Sequence, residues 1–303
     1  MPGWAGSSWY FNRYMDTSNQ KQFVGDEAID YWKEVDLYIG GSEHATGHLL
    51  YSRFWQKVLF DLGFLKSDEY AKKLVNQGMI LGNSAFVYRK KGTQKFLSKG
   101  LVKDHEVEAI YVDISLVNSS NQLDINKVRS WQKHFEKAEF ILENGKYIVG
   151  REVEKMSKSK HNVINPDEIC DTYGGDTLRM YEMFLGPIEQ DKPWNTAGIS
   201  GVHNFLKKFW RLFYQKDHFL VNDQVASSES LKVVHQTIKK VTEGIERLSF
   251  NTCISSFMIC INELTRLKCH NRGILEPLLI LLSPFAPHFS EELWMRLGNT
   301  KSI

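Results

Sequence analysis

Three apolar stripes at helical spacing occupy the last third of the sequence and commit residues 196–303 to packed helices. Ile199, Val202, Leu206, Phe209 and Phe213 line one face, and Leu231, Val234, Ile238, Val241, Ile245 and Leu248 line a second. Cys253, Phe257, Ile261, Leu264 and Leu267 form a third, with Asn251 as the expected cap. Steps of three and four residues put each set on one side of a helix, and a one-sided apolar helix must bury that side against another. Pro284 and Pro287 divide the following segment into two more helices. The expectation is an all-α bundle, with its aromatic residues, Trp210 among them, serving as packing.

The upstream part has a different texture. Val35-Asp36-Leu37-Tyr38-Ile39 is a short apolar strand that meets Gly40 and Gly41, then Ser42, which can cap a helix. From 43 to 62 the spacing is helical, and Leu50, Phe54, Val58 and Leu62 are expected to be a buried stripe ending at Gly63. Residues 74–81, interrupted at Gln77-Gly78, read as another strand. Strands alternating with helices suggest a parallel sheet whose ligands bind beyond the carboxyl ends of its strands, and Gly40 and Gly41 would sit at such an end. Short β-like pieces between 88 and 150, separated by polar turns, describe a small inserted module. Arg89, Lys90, Lys91, Lys95, Lys99 and Lys103 open it, a cluster that reads either as a solvated face or as a contact for RNA.

Charge and cysteine usage narrow the class. The 303 residues carry 38 Lys and Arg against 36 Asp and Glu, so no global basic excess marks a nucleic-acid partner. The bundle is the basic half, with 13 Lys and Arg against 9 Asp and Glu in residues 196–303, a net of +4. Cys170, Cys253, Cys260 and Cys269 contain no Cys-x-x-Cys pair and read as reduced core residues rather than a disulfide framework or a zinc site. No apolar run approaches the length of a membrane span, and the N-terminus lacks the pattern of a secretion signal. A cytoplasmic protein away from membranes is expected.

The densest chemistry lies in Lys155-Met156-Ser157-Lys158-Ser159-Lys160-His161-Asn162, just ahead of Asn165-Pro166-Asp167-Glu168, which has the cap, proline and acidic first turn of a helix start. Two ammonium groups three residues apart on a mobile loop, with no core contact asked of it, can close on the β- and γ-phosphates of ATP and neutralise the departing pyrophosphate. A solvated basic turn is the plain alternative. His44 and His48 share a helical face and could in principle hold zinc, but Glu43 precedes the first histidine instead of following it and no third ligand is near. A packed histidine pair is the other reading, and no metal site is expected.

Lys-Met-Ser-Lys-Ser resembles the second signature of the class I aminoacyl-tRNA synthetases, and the resemblance extends across most of the chain. Gly40 to Phe54 resembles the adenosine- and leucine-binding segment of the bacterial leucyl branch, and Gly6-Ser7-Ser8-Trp9-Tyr10 the aromatic segment of its leucine pocket. Asn76-Gln77-Gly78-Met79, Tyr173-Gly174-Gly175-Asp176-Thr177-Leu178-Arg179 and Ser283-Pro284-Phe285-Ala286-Pro287-His288 follow in that family's order. The resemblance implies ATP contacts from Gly40, Gly41, Glu43, Gly78, Met79, Lys155, Met156, Ser157 and Lys158, with Lys155 and Lys158 catalytic. It implies a leucine pocket shaped by Ser7, Tyr10, His44 and His48, with magnesium accompanying ATP, and tRNA(Leu) as partner.

The fold implied is α/β. Residues 1–88 would be the C-terminal half of a Rossmann-like catalytic domain, 89–150 an inserted β-containing module, 151–195 the lysine loop with connecting helices, and 196–303 an anticodon-binding-type helical bundle. The family's His-x-Gly-His signature has no counterpart here, since only Gly47-His48 occurs. The chain is therefore expected to be a fragment unable to form leucyl-adenylate alone and prone to self-association, from a monomeric parent. A valyl- or isoleucyl-type synthetase and a non-catalytic tRNA-binding module are the alternatives.

Overall fold

The computed structural model describes residues 3–103 and 105–303, with the backbone alone at Glu43. It divides into two compact units: residues up to Met79 with Glu189–Asp191, and Ile80–Ile188 with Lys192–Ile303. No helix among the described residues is long and apolar enough to cross a membrane.

The first unit contains α1 (Tyr10–Tyr14), α2 (Asp26–Trp32), β1 (Tyr38–Gly41), α3 (Leu50–Asp61) and β2 (Leu74–Gln77). β1 and β2 are parallel, with Gly40 beside Asn76 and Gly41 beside Gln77. Parallel neighbours need a crossover, and α3 supplies it. Both glycines thus stand at the carboxyl end of a parallel strand, as the sequence pattern anticipates. The stretch read as one helix from 43 instead opens with a 3-10 turn, Ser42–His44, and a π turn, Ala45–Leu49.

The apolar stripe expected to be buried on α3 is not. Leu50, Phe54 and Leu62 are 57%, 58% and 65% exposed, and the side turned inward carries Ser52 and Gln56. Gln56 accepts from Asn12 Nδ2 at 3.0 Å and donates to the Ser67 carbonyl at 2.9 Å. A buried amide so fully paired fixes the rotation of the helix, because leaving it unpaired inside would cost more than exposing aliphatic surface. The unit's own core is small, centred on Val24, Ile29 and Leu65.

The second unit begins with β3 (Ile80–Lys90), β4 (Lys95–Leu97), β5 (Val107–Val112), α4 (Ile125–Trp131), β6 (Glu139–Ile141) and β7 (Gly150–Lys155). It continues with α5 (Pro166–Tyr173), α6 (Gly175–Phe184), β8 (Lys192–Pro193), α7 (Thr196–Phe213), the short β9 (Tyr214–Gln215) and β10 (His218–Phe219), and α8 (Ser228–Glu246). α9 (Phe250–Arg266), α10 (Arg272–Leu282) and α11 (Pro287–Arg296) complete it. β3 is the spine of a six-stranded sheet, paired with β4, β5, β7 and β8. Gly150 faces Phe86 in the β3–β7 register, where a Cβ would run into the Phe86 ring and the Tyr88 hydroxyl. Ala85, Val87, Phe96, Phe135 and Tyr147 form the core against this sheet.

A larger core holds the helices together. The five stripe residues of α7 and Cys253, Phe257, Ile261 and Leu264 of α9 are all buried in it. On α8 the pattern is looser, since Leu231 is 40% exposed and Leu248 lies past the helix end at φ 57°. Ser249, not Asn251, caps α9, its carbonyl accepting from Thr252 N at 3.1 Å and Cys253 N at 3.2 Å. The left-handed residue at 248 makes the α8–α9 turn so tight that the second helix begins earlier than local preference suggests. Pro287 starts α11, and Asn165 caps α5 by accepting from Asp167 N at 3.0 Å, both as the sequence indicates. Cys253, Cys260 and Cys269 are buried free thiols, and Cys170 is partly exposed.

Candidate functional site

In the first unit the residues read from sequence gather behind the glycine end of β1. A Cβ on Gly40 would meet nothing within 4 Å, so this strand end is open to a ligand. Gly78 is different, because the space of its missing side chain is filled by the Gln190 backbone. Met79 N donates to Asp191 Oδ1 at 2.6 Å beside it, which ties the end of β2 to residues 189–191.

A hydrogen-bonded chain links the predicted leucine-pocket residues through one that sequence reasoning missed. Tyr38 Oη lies 3.0 Å from Tyr10 Oη and 2.6 Å from His48 Nε2, and His48 Nδ1 lies 3.3 Å from Ser52 Oγ. Burial, and then the charge of His44 nearby, hold His48 below the usual imidazole range, so it is neutral at pH 7. Two proton arrangements satisfy the whole chain: Tyr10 donates to Tyr38, Tyr38 to Nε2 and Nδ1–H to Ser52, or Ser52 donates to Nδ1, Nε2–H to Tyr38 and Tyr38 to Tyr10. Burial raises the Tyr38 phenol well above its ordinary value, so it keeps its proton in either arrangement. Both nitrogens of His48 are thereby committed, which leaves no lone pair for zinc. Among the described residues no group of three or more His, Cys, Asp or Glu is placed to hold a metal ion.

Of the other residues predicted to shape a leucine pocket, none joins this hydrogen-bonded chain. Ser7 is exposed and its hydroxyl donates to the Trp4 carbonyl at 3.1 Å. His44 is exposed at the end of its 3-10 turn. The side chain of Glu43, expected to meet ribose hydroxyls, lies outside the described residues. The π turn that carries His48 passes Trp4, whose indole would be 3.3 Å from a Cβ on Gly47. Single π turns recur at functional sites because they shift one residue out of helical register.

In the second unit the lysine segment is anchored where the sequence asked for no anchor. Lys155 ends β7 opposite Leu81, and Lys158 begins a single 3-10 turn, Lys158–Lys160. Between them Met156 packs on the large helical core. Asn162, fully buried, accepts from Ser157 N at 2.8 Å and donates to Ser84 Oγ at 2.8 Å. Gly82 makes room, since a Cβ there would sit 2.7 Å from the Asn162 carbonyl. Lys160 pairs with Glu154, and this pairing holds the Glu154 carboxyl below its usual value. Lys155 and Lys158 are exposed and have no carboxylate partner among the described residues of this unit. Two cations on a short turn, braced by a third lysine that is already neutralised, are free to meet an anion.

Three of the six residues in the basic cluster that opens the module are engaged in ion pairs. Arg89 meets Glu108 at 2.5 Å, Lys91 meets Glu106 at 3.4 Å and Lys95 meets Glu139 at 3.4 Å, all near the surface. These three present a mixed-charge surface.

The two family segments at 173–179 and 283–288, to which the sequence assigned no role, clasp each other. Asp176 accepts from His288 Nδ1 at 2.9 Å and from Phe289 N at 2.6 Å, and Arg179 donates to the Pro284 carbonyl at 3.0 Å. Sequence offered only their co-occurrence as a signal.

Residues 138–195 match the family described as tRNA synthetases class I (I, L, M and V), and residues 228–303 match the anticodon-binding domain of tRNA ligase. The chain is 64% identical over 303 residues to a leucine–tRNA ligase of Christiangramia forsetii and 63% identical over 309 residues to one of Flavobacterium psychrophilum, covering 100% of this chain and 32% of each relative. It thus spans about a third of the length of these curated relatives. Among solved structures, the ternary complex of Agrobacterium radiobacter K84 agnB2 LeuRS with tRNA and LeuAMS superimposes with a TM-score of 0.64 at 27% identity, covering 98% of this chain and 32% of that one. The methionyl-tRNA synthetase of Mycobacterium tuberculosis, at 12% identity and a TM-score of 0.52 over 91% of this chain and 46% of that one, shares the fold.

Proposed function

We propose that this chain, similar over its whole length to leucine–tRNA ligases, contributes the leucine-facing turn, the lysine loop and the RNA-binding helices of such an enzyme. What supports the reading above all is identity of 64% across all 303 residues. Relatives that carry leucine in their names leave the valyl and isoleucyl alternatives without support.

In this reading residues 1–88 belong to the catalytic domain, 89–150 are an insertion, 151–195 carry the lysine loop and 196–303 bind tRNA(Leu) in the cytoplasm. Leucine lies against Tyr10, with Ser7, His44 and His48 shaping the pocket. The neutral His48 ring, held by Tyr38 and Ser52, gives a rigid wall with no charge to attract a polar competitor. ATP enters as its magnesium complex and rests near Gly40, Gly41, Glu43, Gly78 and Met79. The leucine carboxylate attacks the α-phosphate, forming the P–O bond of leucyl-adenylate and releasing pyrophosphate. Lys155 and Lys158, flanking Met156 and Ser157, neutralise the charge gathered on that leaving group. A terminal ribose hydroxyl of tRNA(Leu) then takes the leucyl group and releases AMP.

The test is leucine-dependent ATP–pyrophosphate exchange by the polypeptide extended to the length of its relatives. Lys158→Ala is expected to lower the exchange rate by about a hundredfold or more with little change in leucine KM. Exchange that is absent in the unsubstituted enzyme, or untouched by Lys158→Ala, overturns the proposal.

A further inference from the structure

On α7 and the start of α6, away from the lysine loop, the second unit has an open hollow of about 520 Å³. Its floor is apolar and largely aromatic, made by Leu206, Trp210 and Phe289. Trp210 packs against two further rings, lying 5.2 Å from that of Tyr214 at an interplanar angle of 17° and meeting Phe289 at 6.1 Å. One lip is the turn Gly174-Gly175. Gly174 has φ +89°, and the Cβ positions of both glycines point into space empty within 4 Å, so a ligand reaches bare backbone there.

The other lip is cationic. Lys207, exposed and one helical turn beyond His203, has no carboxylate partner among the described residues of this unit. The single carboxylate lining the hollow, Asp176, is already spent on His288 Nδ1 and Phe289 N. Asp176 is almost wholly buried and turned toward these two donors, whereas the Lys207 ammonium stands exposed at the lip, so an arriving anion meets the cation first.

A flat aromatic floor under a lip that welcomes negative charge fits a nucleotide unit better than a peptide side chain. An apolar peptide side chain would fill the floor and leave Lys207 unanswered. The bundle that supplies α7 and α11 is also the basic part of the sequence. We propose that this hollow receives one unstacked base of an RNA strand, its ring against Trp210 and its phosphate on Lys207. The inference rests on the proposed function only in naming that RNA as tRNA(Leu). The stacking and charge arguments stand without it.

The test uses the 303-residue chain and a fluorescein-labelled oligoadenylate of about eight nucleotides, compared with a blunt RNA duplex of the same length at fixed ionic strength. Gly175→Val sets a branched side chain on the glycine lip, where a Cβ meets nothing within 4 Å, and a thermal melt verifies that the fold is kept. It is expected to weaken oligoadenylate binding about tenfold while duplex binding changes less than about twofold. Lys207→Glu is expected to weaken oligoadenylate by a similar factor, and Trp210→Leu likewise if its melt is retained. Unchanged oligoadenylate binding in Gly175→Val, or a wild-type preference for the duplex, overturns the proposal. Leucine-dependent pyrophosphate exchange by the extended enzyme needs no RNA. Its absence would remove the ligase function and leave the oligoadenylate result standing, so the two proposals fail separately.

Discussion

Asn162 donates to Ser84 Oγ at 2.8 Å across 78 residues of sequence, and neither side chain is exposed to water. Because the same amide accepts from Ser157 N, the backbone between the two signature lysines is fastened to the spine of the sheet. Asn162→Ala would leave the Ser157 N–H unpaired and take from the Ser84 oxygen the amide that donates to it. A loss of about 1–3 kcal/mol in urea unfolding is expected, with slower pyrophosphate exchange in the extended enzyme and little change in leucine KM.

Removing the central hydroxyl of the aromatic chain tests the pocket. Tyr38→Phe removes the hydroxyl that bridges Tyr10 Oη and His48 Nε2. A stability loss of about 1 kcal/mol is expected, and leucine KM in the extended enzyme rises because the ring of His48 is no longer fixed. Unchanged leucine KM would place this chain outside substrate recognition.

Acid should loosen the same region. The folded His48 titrates below its ordinary value of 6.5, so below that pH the unfolded chain takes up a proton that the folded ring refuses. The stability tied to the neutral ring is fully present above pH 6.5 and is lost as pH falls through the folded value. His48→Gln, which cannot titrate, should show a smaller drop in melting temperature between about pH 7 and pH 5 than the wild type.

The clasp between α6 and α11 is unequal in its two halves. Asp176 is almost wholly buried and receives two hydrogen bonds, whereas the side chain of His288 is 90% exposed. Asp176→Ala should therefore cost about 1–3 kcal/mol, by leaving the Phe289 N–H unpaired. His288→Ala should cost about 0.5 kcal/mol or less. Equal losses in chemical denaturation would contradict this division.

The features legible in the sequence are those with a local cause. The α7 stripe, the Asn165 cap and the glycine end of β1 each depend on residues within a turn or two of one another. Those that escaped are set by distant partners. Leu50 and Phe54 face outward because Gln56 is claimed by Asn12 and Ser67, and Tyr38 joins Tyr10 and His48 through contacts with residues ten or more positions away. Periodicity registers which side of α3 is apolar, but not which side its neighbours can satisfy. The lysine loop looked free for the same reason, since Asn162 follows it closely while Ser84 lies far upstream.

The bond from Met79 N to Asp191 carries a consequence for biosynthesis, since 112 residues separate donor and acceptor. A ribosome adding about 5–20 residues per second needs on the order of ten seconds between them. Throughout that interval the nascent end of β2 has neither its carboxylate nor the Gln190 backbone that later covers Gly78, and only emergence of the 189–191 stretch lets the first-made unit close.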